Sequence, residues 1–397
     1  MIPRFRPIIG AAEFRALFSA KSERVAAFEH AFADKTGVSG AIAFPYGRSA
    51  LWAFLKAVGV TGSEVVMPPY TCSVVAHAVA LSGNQPRFVD IQLTDYNMDL
   101  GRLEEAISEK TRAVIPTHIF GYPVDMDRLT SIVANAEKKY GQKIWVIEDC
   151  AHSFGAARNG RLAGTWGDAA LYGLNISKII TSIFGGMLTF QDRHLEAEVR
   201  KWRDRNFKAP NSLTALKRRL YLLAVYPAFN ETLYGITWWL QNRTPLLNRL
   251  TKAYHLDDKV HFPPDFRDLM MDVEASVGVA QLQKYDRIIE TRRRNAAWYD
   301  ANLPESDEWV LPPILDGATY SHYPVRTGKR DKLVAELARH GIELGTLIDY
   351  SVSDLRSYSG IDDCPNSRAA ANSMINLPLM VGDKKLRHIR DAFRSIA

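Results

Sequence analysis

Cysteine is scarce. Cys72, Cys150 and Cys364 are the three in 397 residues, and no two of them form a Cys-x-x-Cys pair. Such a set argues against a disulfide framework and against a zinc site, so no metal is expected and a reducing cytoplasm is the natural setting. Arg4 and Arg6 open the chain, but neither an uninterrupted apolar stretch nor a small-residue cleavage site follows, and no signal peptide is read. Blocks of like charge are missing too. Lys and Arg number 50 against 44 Asp and Glu, a net charge of +6 with the basic residues not gathered into arms, which speaks against nucleic-acid binding. There are no internal repeats and no low-complexity tract.

What is present is an ordinary soluble composition, 47% apolar and 24% charged. The length exceeds what one core usually organises, so two domains are expected. Residues 1–265 read as a large α/β domain and 266–397 as a long connecting helix with a small C-terminal domain. Between about residues 40 and 190, short β-branched or apolar runs alternate with amphipathic stretches. The runs predict strands at Glu64–Met67, Arg87–Asp90, Ala113–Pro116, Lys143–Glu148, Ala169–Leu174 and Gly186–Phe190. Helices are predicted at Ser49–Val58, Cys72–Leu81, Leu100–Ile107, Met126–Lys139 and Leu195–Arg205. That alternation implies a mostly parallel sheet with helices on both faces, whose ligands bind at the carboxyl ends of the strands. Further on, Asp272–Leu303 reads as one long helix. Ala318–Arg326 reads as strand, and Lys332–His340 and Lys385–Ile396 as helices.

The chemistry is concentrated in Trp145-Val-Ile-Glu-Asp149-Cys-Ala-His152, followed some thirty residues later by Asn175-Ile-Ser-Lys178 and then Gly185-Gly186. An apolar strand that ends in an acid puts Asp149 at the mouth of the ligand crevice, and a lysine just beyond a later strand reaches the same place. Pyridoxal phosphate (PLP) needs such a pair: an amine to hold it, and a carboxylate to keep its pyridinium nitrogen protonated. Either residue alone would be a solvated lysine or a helix-capping acid.

In its surroundings the sequence resembles the DegT/DnrJ/StrS family of PLP-dependent sugar aminotransferases, of fold-type I. The resemblance runs through Phe44-Pro-Tyr-Gly47-Arg-Ser-Ala-Leu51, Gly62–Pro68, Pro86–Asp90, Tyr96–Asp99, Pro116–Gly121, Asp125–Asp127, Ile147–Gly155, Ser177-Lys178 and Glu274–Lys284, in the family's order. It implies that Lys178 carries the cofactor and relays the proton, and that Asp149 pairs with the pyridinium. His152 would lie against the cofactor, and Asn175 beside it. Gly47, Arg48 and Ser49 would offer backbone N–H groups of a helix start to the phosphate. Arg48 stands where the family usually has Thr, and Gly173 where it usually has Ser. Cys72 replaces a ring-stacking aromatic, for which nearby Tyr70 is a substitute. Arg267 aligns with an Asn that the neighbouring subunit contributes, and Arg48 and Arg267 are candidates for charge-assisted phosphate contacts.

The activity implied is transfer of an amino group, with glutamate as donor, to a keto sugar carried on a nucleotide or a lipid. The product is an amino sugar for a polysaccharide, a glycolipid or a secondary metabolite. A homodimer with shared active sites is implied as well. Two alternatives stay open: another PLP reaction such as a sugar dehydration, against which the retained Lys178 counts, and a non-catalytic scaffold. The stretch 210–264 departs from the family pattern. Lys217–Arg243 is Leu-, Tyr- and Trp-rich with basic ends, which suits a dimer interface, an active-site cover, or a helix lying peripherally at the inner face of a membrane.

Overall fold

The computed structural model describes residues 1–18, 23–229, 234–243 and 260–396. The predicted α/β alternation is present as a seven-stranded sheet built from β1 (Gly40–Phe44), β2 (Glu64–Met67), β3 (Gln85–Phe88), β4 (Thr111–Val114), β5 (Trp145–Asp149), β8 (Ala169–Gly173) and β9 (Gly186–Phe190). Its order is β1-β9-β8-β5-β4-β2-β3. From β8 to β3 every pairing is parallel, and β9 alone runs against its two neighbours. A small hairpin, β6 (Ala157–Arg158) with β7 (Arg161–Leu162), lies between β5 and β8 in the chain.

Side chains alternate across the strands, and both faces are covered. Val65, Ala113 and Ile147 join one apolar cluster with Ala50, Leu51 and Phe54 of helix Gly47–Ala57. Val66, Val114 and Val146 join another with Leu129 and Val133 of helix Met126–Tyr140. A second sheet, antiparallel, has the order β10 (Trp309–Val310), β11 (Tyr323–Thr327), β12 (Met374–Leu377). Its core reaches back to Tyr70, Ile119, Phe120 and Tyr122 of the first sheet's loops.

Several expectations are corrected. The long helix is two, Asp272–Leu282 and Tyr285–Asn302, broken at Gln283 and Lys284. The break is where the N-terminal segment latches on: Lys284 Nζ lies 2.6 Å from Glu13 Oε2, and Gln281 Nε2 donates to the Ile8 carbonyl and to Glu13 Oε1. The strand expected at Ala318–Arg326 begins only at Tyr323. Tyr320 sits in the left-handed region (φ 51°), and Thr319 and Ser321 donate instead to the carbonyls of Gly121 and Phe120. The strands expected at Arg87–Asp90 and Ala113–Pro116 lie two residues earlier, and β1 and β12 were not expected at all.

One glycine is required by packing rather than by backbone conformation. Gly278, within helix Asp272–Leu282, faces Phe28 of helix Arg24–Thr36, and a Cβ there would fall 2.4–2.7 Å from the phenyl ring. Gly→Ala inside a helix ordinarily stabilises by about 1 kcal/mol. At Gly278 the overpacking reverses the sign, and Gly278→Ala is expected to lower the unfolding free energy by about 1–3 kcal/mol, read from the urea midpoint.

Candidate active site

The parallel strands end on one side in a cleft of about 720 Å³, walled by Tyr46, Gly47, Arg48, Cys72, Thr117, Asp149, His152, Gly173, Asn175 and Lys178, among others. Each group arrives there for a local reason. Period-two alternation along β5 puts Ile147 and Asp149 on the same face of the sheet and Val146 and Glu148 on the other. Lys178 follows β8 on a turn that Asn175 shapes: its Oδ1 accepts from the Ser177 N–H at 3.0 Å and from the Ser177 hydroxyl at 2.6 Å, while the Lys178 N–H bonds the Asn175 carbonyl. The lysine stem then lies over Gly173, where a Cβ would come within 3.2 Å of Lys178 Cε. A side chain at Gly173 would press lightly on the stem, which would have to shift by a few tenths of an ångström.

The third component is a helix start. The chain leaves β1 and crosses the beginning of β9 so closely that a Cβ on Gly186 would sit 2.4 Å from the Gly47 nitrogen. Gly185, at φ 125°, lets β9 make that approach. Tyr46 is the extended N-cap of helix Gly47–Ala57, with no side-chain cap and no acid in the first turn. The first N–H groups therefore face the cleft's end without intrahelical acceptors, together with the positive end of the helix dipole.

Electrostatics sharpen the picture. Burial lowers the pKa of Lys178 against the opposing pull of Cys72 and Asp149. Burial raises that of Asp149, opposed by the Ala151 N–H and by the charges of Lys178 and His118. Asp149 Oδ1 accepts from Ala151 N at 3.0 Å, but Oδ2 has only the Thr117 hydroxyl at 3.5 Å. His152 is held neutral, its pKa pushed well down by burial and then by Lys178 and His322. Among the described residues, its Nδ1 and the buried Oγ of Ser49 have no hydrogen-bond partner.

Seven of the ten residues expected at the site wall the cleft: Gly47, Arg48, Cys72, Asp149, His152, Asn175 and Lys178. Ser49 is buried in the helix's first turn. Tyr70 lies in the core with its ring edge-on to Phe120, so Cys72, not Tyr70, faces the cleft. Arg267 is exposed, with its carbonyl accepting from the Lys208 N–H.

Comparison with known proteins decides the family. The DegT/DnrJ/EryC1/StrS aminotransferase family matches residues 14–221 and 248–393. The chain belongs to it. Among its relatives is the GDP-perosamine synthase of Caulobacter vibrioides, 29% identical over 89% of this chain and 84% of that one. The dTDP-3-amino-3,4,6-trideoxy-alpha-D-glucose transaminase of Micromonospora megalomicea subsp. nigra is 29% identical over 81% and 74%. AtS13 from Actinomadura melliaura shares the fold with a TM-score of 0.79 and 25% identity, over 100% of this chain and 98% of that one. Sugar aminotransferase CalS13 from Micromonospora echinospora shares it at 0.77 and 23%, over all of both chains.

The DegT/DnrJ/EryC1/StrS aminotransferases use PLP, and the residues of this chain fit that group. A buried lysine amine whose pKa burial pulls down, a buried carboxylate with few hydrogen-bond donors, an uncapped helix start and two polar atoms without partners among the described residues are what an aldehyde, a pyridinium, a phosphate and a ring oxygen would engage. When bound, the cofactor supplies the electron sink for breaking the substrate's C–H bond. The protein's part would be to hold it and to supply a group that moves the proton.

Sequence reasoning missed Glu148 and His118. His118 Nδ1 accepts from the Val124 N–H, so its Nε2 carries the proton and donates to Glu148 at 3.0 Å. Glu148 also accepts from the N–H groups of Gly164, Trp166 and Gly167 at 2.7–2.8 Å. Among the described residues, His118, Glu148 and Cys150 bring possible metal-ligand atoms within 4.8 Å of one another, but these bonds already occupy both imidazole nitrogens and both carboxylate oxygens. The group is a structural anchor beneath the active strand. Burial works to raise the Glu148 pKa, yet the His118 bond and the N–H donors leave it lowered from 4.5. Its contribution to stability is therefore present above pH 4.5 and lost as the pH falls through the folded-state value. Glu148→Gln is expected to destabilise by about 3 kcal/mol at neutral pH. The gap from wild type should shrink below pH 4.5, measured by denaturant unfolding at several pH values.

Proposed function

We propose that this aminotransferase takes an amino group from glutamate and delivers it to a nucleotide-linked keto sugar. Transamination in amino-sugar biosynthesis follows from the family and from the transaminases among its relatives; the donor and the carrier are the added steps. The observation that carries the reading is the meeting of Lys178 and Asp149 in the wall of one cleft at the strand ends, with burial drawing the lysine's pKa down from its ordinary value. Transamination moves a proton from one carbon to another, and a neutral amine at that position is the base that can do so. Lys178 and Asp149 are assigned to the cofactor, His152 and Asn175 to its ring side, and Gly47, Arg48 and Ser49 to its phosphate. A homodimer completes the site, with Arg267 offered to the partner's cleft.

Two helices at and before the unmatched stretch supply a second part of the reading. Residues 222–247 fall between the two stretches that match the family. Leu213, Leu216, Leu220 and Leu223, three or four apart on helix Ser212–Ala228, form an exposed stripe, with Ile236 and Trp239 exposed on helix Tyr234–Arg243. No helix among the described residues is long and apolar enough to cross a membrane. Leu and Trp exposed beside basic Lys217 suit a helix lying in the interface of an anionic lipid surface, at the inner face of the membrane.

With PLP added, the protein should show a yellow absorption band that bleaches with glutamate. Lys178→Ala should lack the band and lose at least about 10²-fold in transamination. A band that ignores glutamate overturns the donor assignment. Arg48→Ala should weaken PLP binding by about tenfold, and unchanged affinity removes Arg48 from the phosphate site. The protein should cosediment with anionic vesicles, and Leu216→Glu with Leu220→Glu should abolish it. Failure of the wild type to cosediment leaves the stripe to a subunit contact.

A further inference from the structure

Tyr46 holds the N-cap position of helix Gly47–Ala57 and walls the cofactor cleft, yet its side chain caps nothing. A Ser, Thr, Asn or Asp there would turn its oxygen onto the first N–H groups of the helix. The tyrosine hydroxyl is carried away from them and donates to Asp265, 2.9 Å from Oδ1 and 3.0 Å from Oδ2. Arg218, 4% exposed on helix Ser212–Ala228, donates to the same carboxylate from Nη2 at 2.9 Å and to the tyrosine hydroxyl at 3.3 Å. Its Nη1 bonds buried Glu274, whose other oxygen accepts from the Met271 N–H at 3.1 Å. The ring is anchored as well. Phe184 meets it edge-on, with 6.1 Å between centroids, and the Arg218 guanidinium lies 5.4 Å from its centre. Behind the ring, the Tyr46 backbone bridges to Gly185.

An anchored ring is a platform for a cation. The Arg48 guanidinium lies over the same ring, 5.6 Å from its centre, and Arg48 walls the cleft from the first turn of the helix. Resting on the assignment of this helix start to the cofactor's phosphate, we propose that Tyr46 is the positioning residue that holds Arg48 ready for that phosphate. A long arginine stem has many rotamers. One whose guanidinium already rests on a fixed aromatic ring loses less freedom when its fork takes an oxyanion. Tyr46 therefore acts twice: it leaves the first N–H groups of the helix uncapped, and it restricts the one cationic side chain of the first turn. Arg218 has its Nη groups taken by two carboxylates, so its part is to fix Tyr46 and not to meet the anion.

Two ligands separate positioning from folding. Pyridoxal has the aldehyde and ring of PLP but no phosphate, and each is titrated into the full-length protein freed of cofactor, with binding read from the absorption band. Tyr46→Leu should weaken PLP by about tenfold, as Arg48→Ala does, and weaken pyridoxal by less than about twofold. The double variant should bind PLP within about twofold of either single variant, because the ring acts through the guanidinium. Tyr46→Phe keeps the ring and gives up the Asp265 bond, and should bind PLP within about threefold of wild type. Equal losses of PLP and pyridoxal in Tyr46→Leu overturn the proposal, since they report a damaged cleft. So do single losses that multiply in the double variant, and so does a Tyr46→Phe as weak as Tyr46→Leu. Unchanged PLP affinity in Arg48→Ala removes Arg48 from the phosphate site and the proposal with it. A loss in Arg48→Ala with none in Tyr46→Leu overturns the positioning role alone and leaves the phosphate assignment standing.

Discussion

Asp149 is 3% exposed at the end of β5, with one backbone N–H on Oδ1 and a threonine hydroxyl at 3.5 Å on Oδ2. A carboxylate so thinly solvated is costly to keep ionised, and the rise in its pKa expresses that cost. The surrounding architecture accepts it in order to place a negative charge at the floor of the cleft. β5 is the middle strand of the sheet, the loop after it is pinned through Glu148, and Lys178 comes in from the neighbouring strand over a glycine. A cationic pyridinium in contact with Asp149 would remove the penalty, and cofactor binding and stability would then be coupled. The holoprotein is the more stable form by mass action alone, and by more once this charge is paired.

The rest of the interior shows that an unpaired charge is not this chain's habit. Glu29 receives Arg200 and Arg203 at 2.7 and 2.9 Å. Glu13 receives Lys284 and Gln281. Asp90 takes the N–H groups of Asn366 and Ser367, and Arg218 meets Glu274 and Asp265. Against that background Asp149 and Arg292 stand out: Asp149 feels the Lys178 charge but accepts no hydrogen bond from a cation, and Arg292 has backbone carbonyls in place of a carboxylate among the described residues. Selection for folding alone would pair them or replace them with apolar side chains, which is often neutral or stabilising. The retention of Asp149 is understandable if the cofactor completes it.

The cofactor site was legible in the sequence, because it is carried by residues adjacent in the chain. Period-two alternation ending in Asp149, the turn-forming Asn175 three residues before Lys178, and Gly185-Gly186 are all local signals. β2 and β9 fall where periodicity predicts them. β1 was missed because Gly-Ala-Ile-Ala-Phe is short and apolar on both faces, without the alternation that marks a half-buried strand. The long helix was read through its break because no proline or glycine marks Gln283-Lys284; the cause is Glu13, some 270 residues away in sequence. The His118–Glu148 bond is hidden for the same reason. Arg292 is a different case. It is one of three consecutive arginines and looks like a solvated run, yet helical phase places it four residues from Ile288 and from Ala296, on the buried face. That signal was present and unused.

Helices Ser212–Ala228 and Tyr234–Arg243 are tied into the body of the protein. Arg218, buried on helix Ser212–Ala228, bonds Glu274 and Asp265, and Asp265 in turn accepts from the hydroxyl of Tyr46, the residue that precedes the helix start at Gly47. The Arg218 guanidinium also lies over the rings of Tyr46 and Phe184. Some residues further on, Tyr234 donates to Glu343, the same carboxylate on which Arg4 leans. Its neighbour Phe229 stacks on Tyr234 and packs edge-on to Phe5. Helices serving only an outer surface would need apolar anchoring on the body of the protein and nothing more. These are fastened by charged and hydrogen-bonded groups, beside the helix start at Tyr46 and at Glu343.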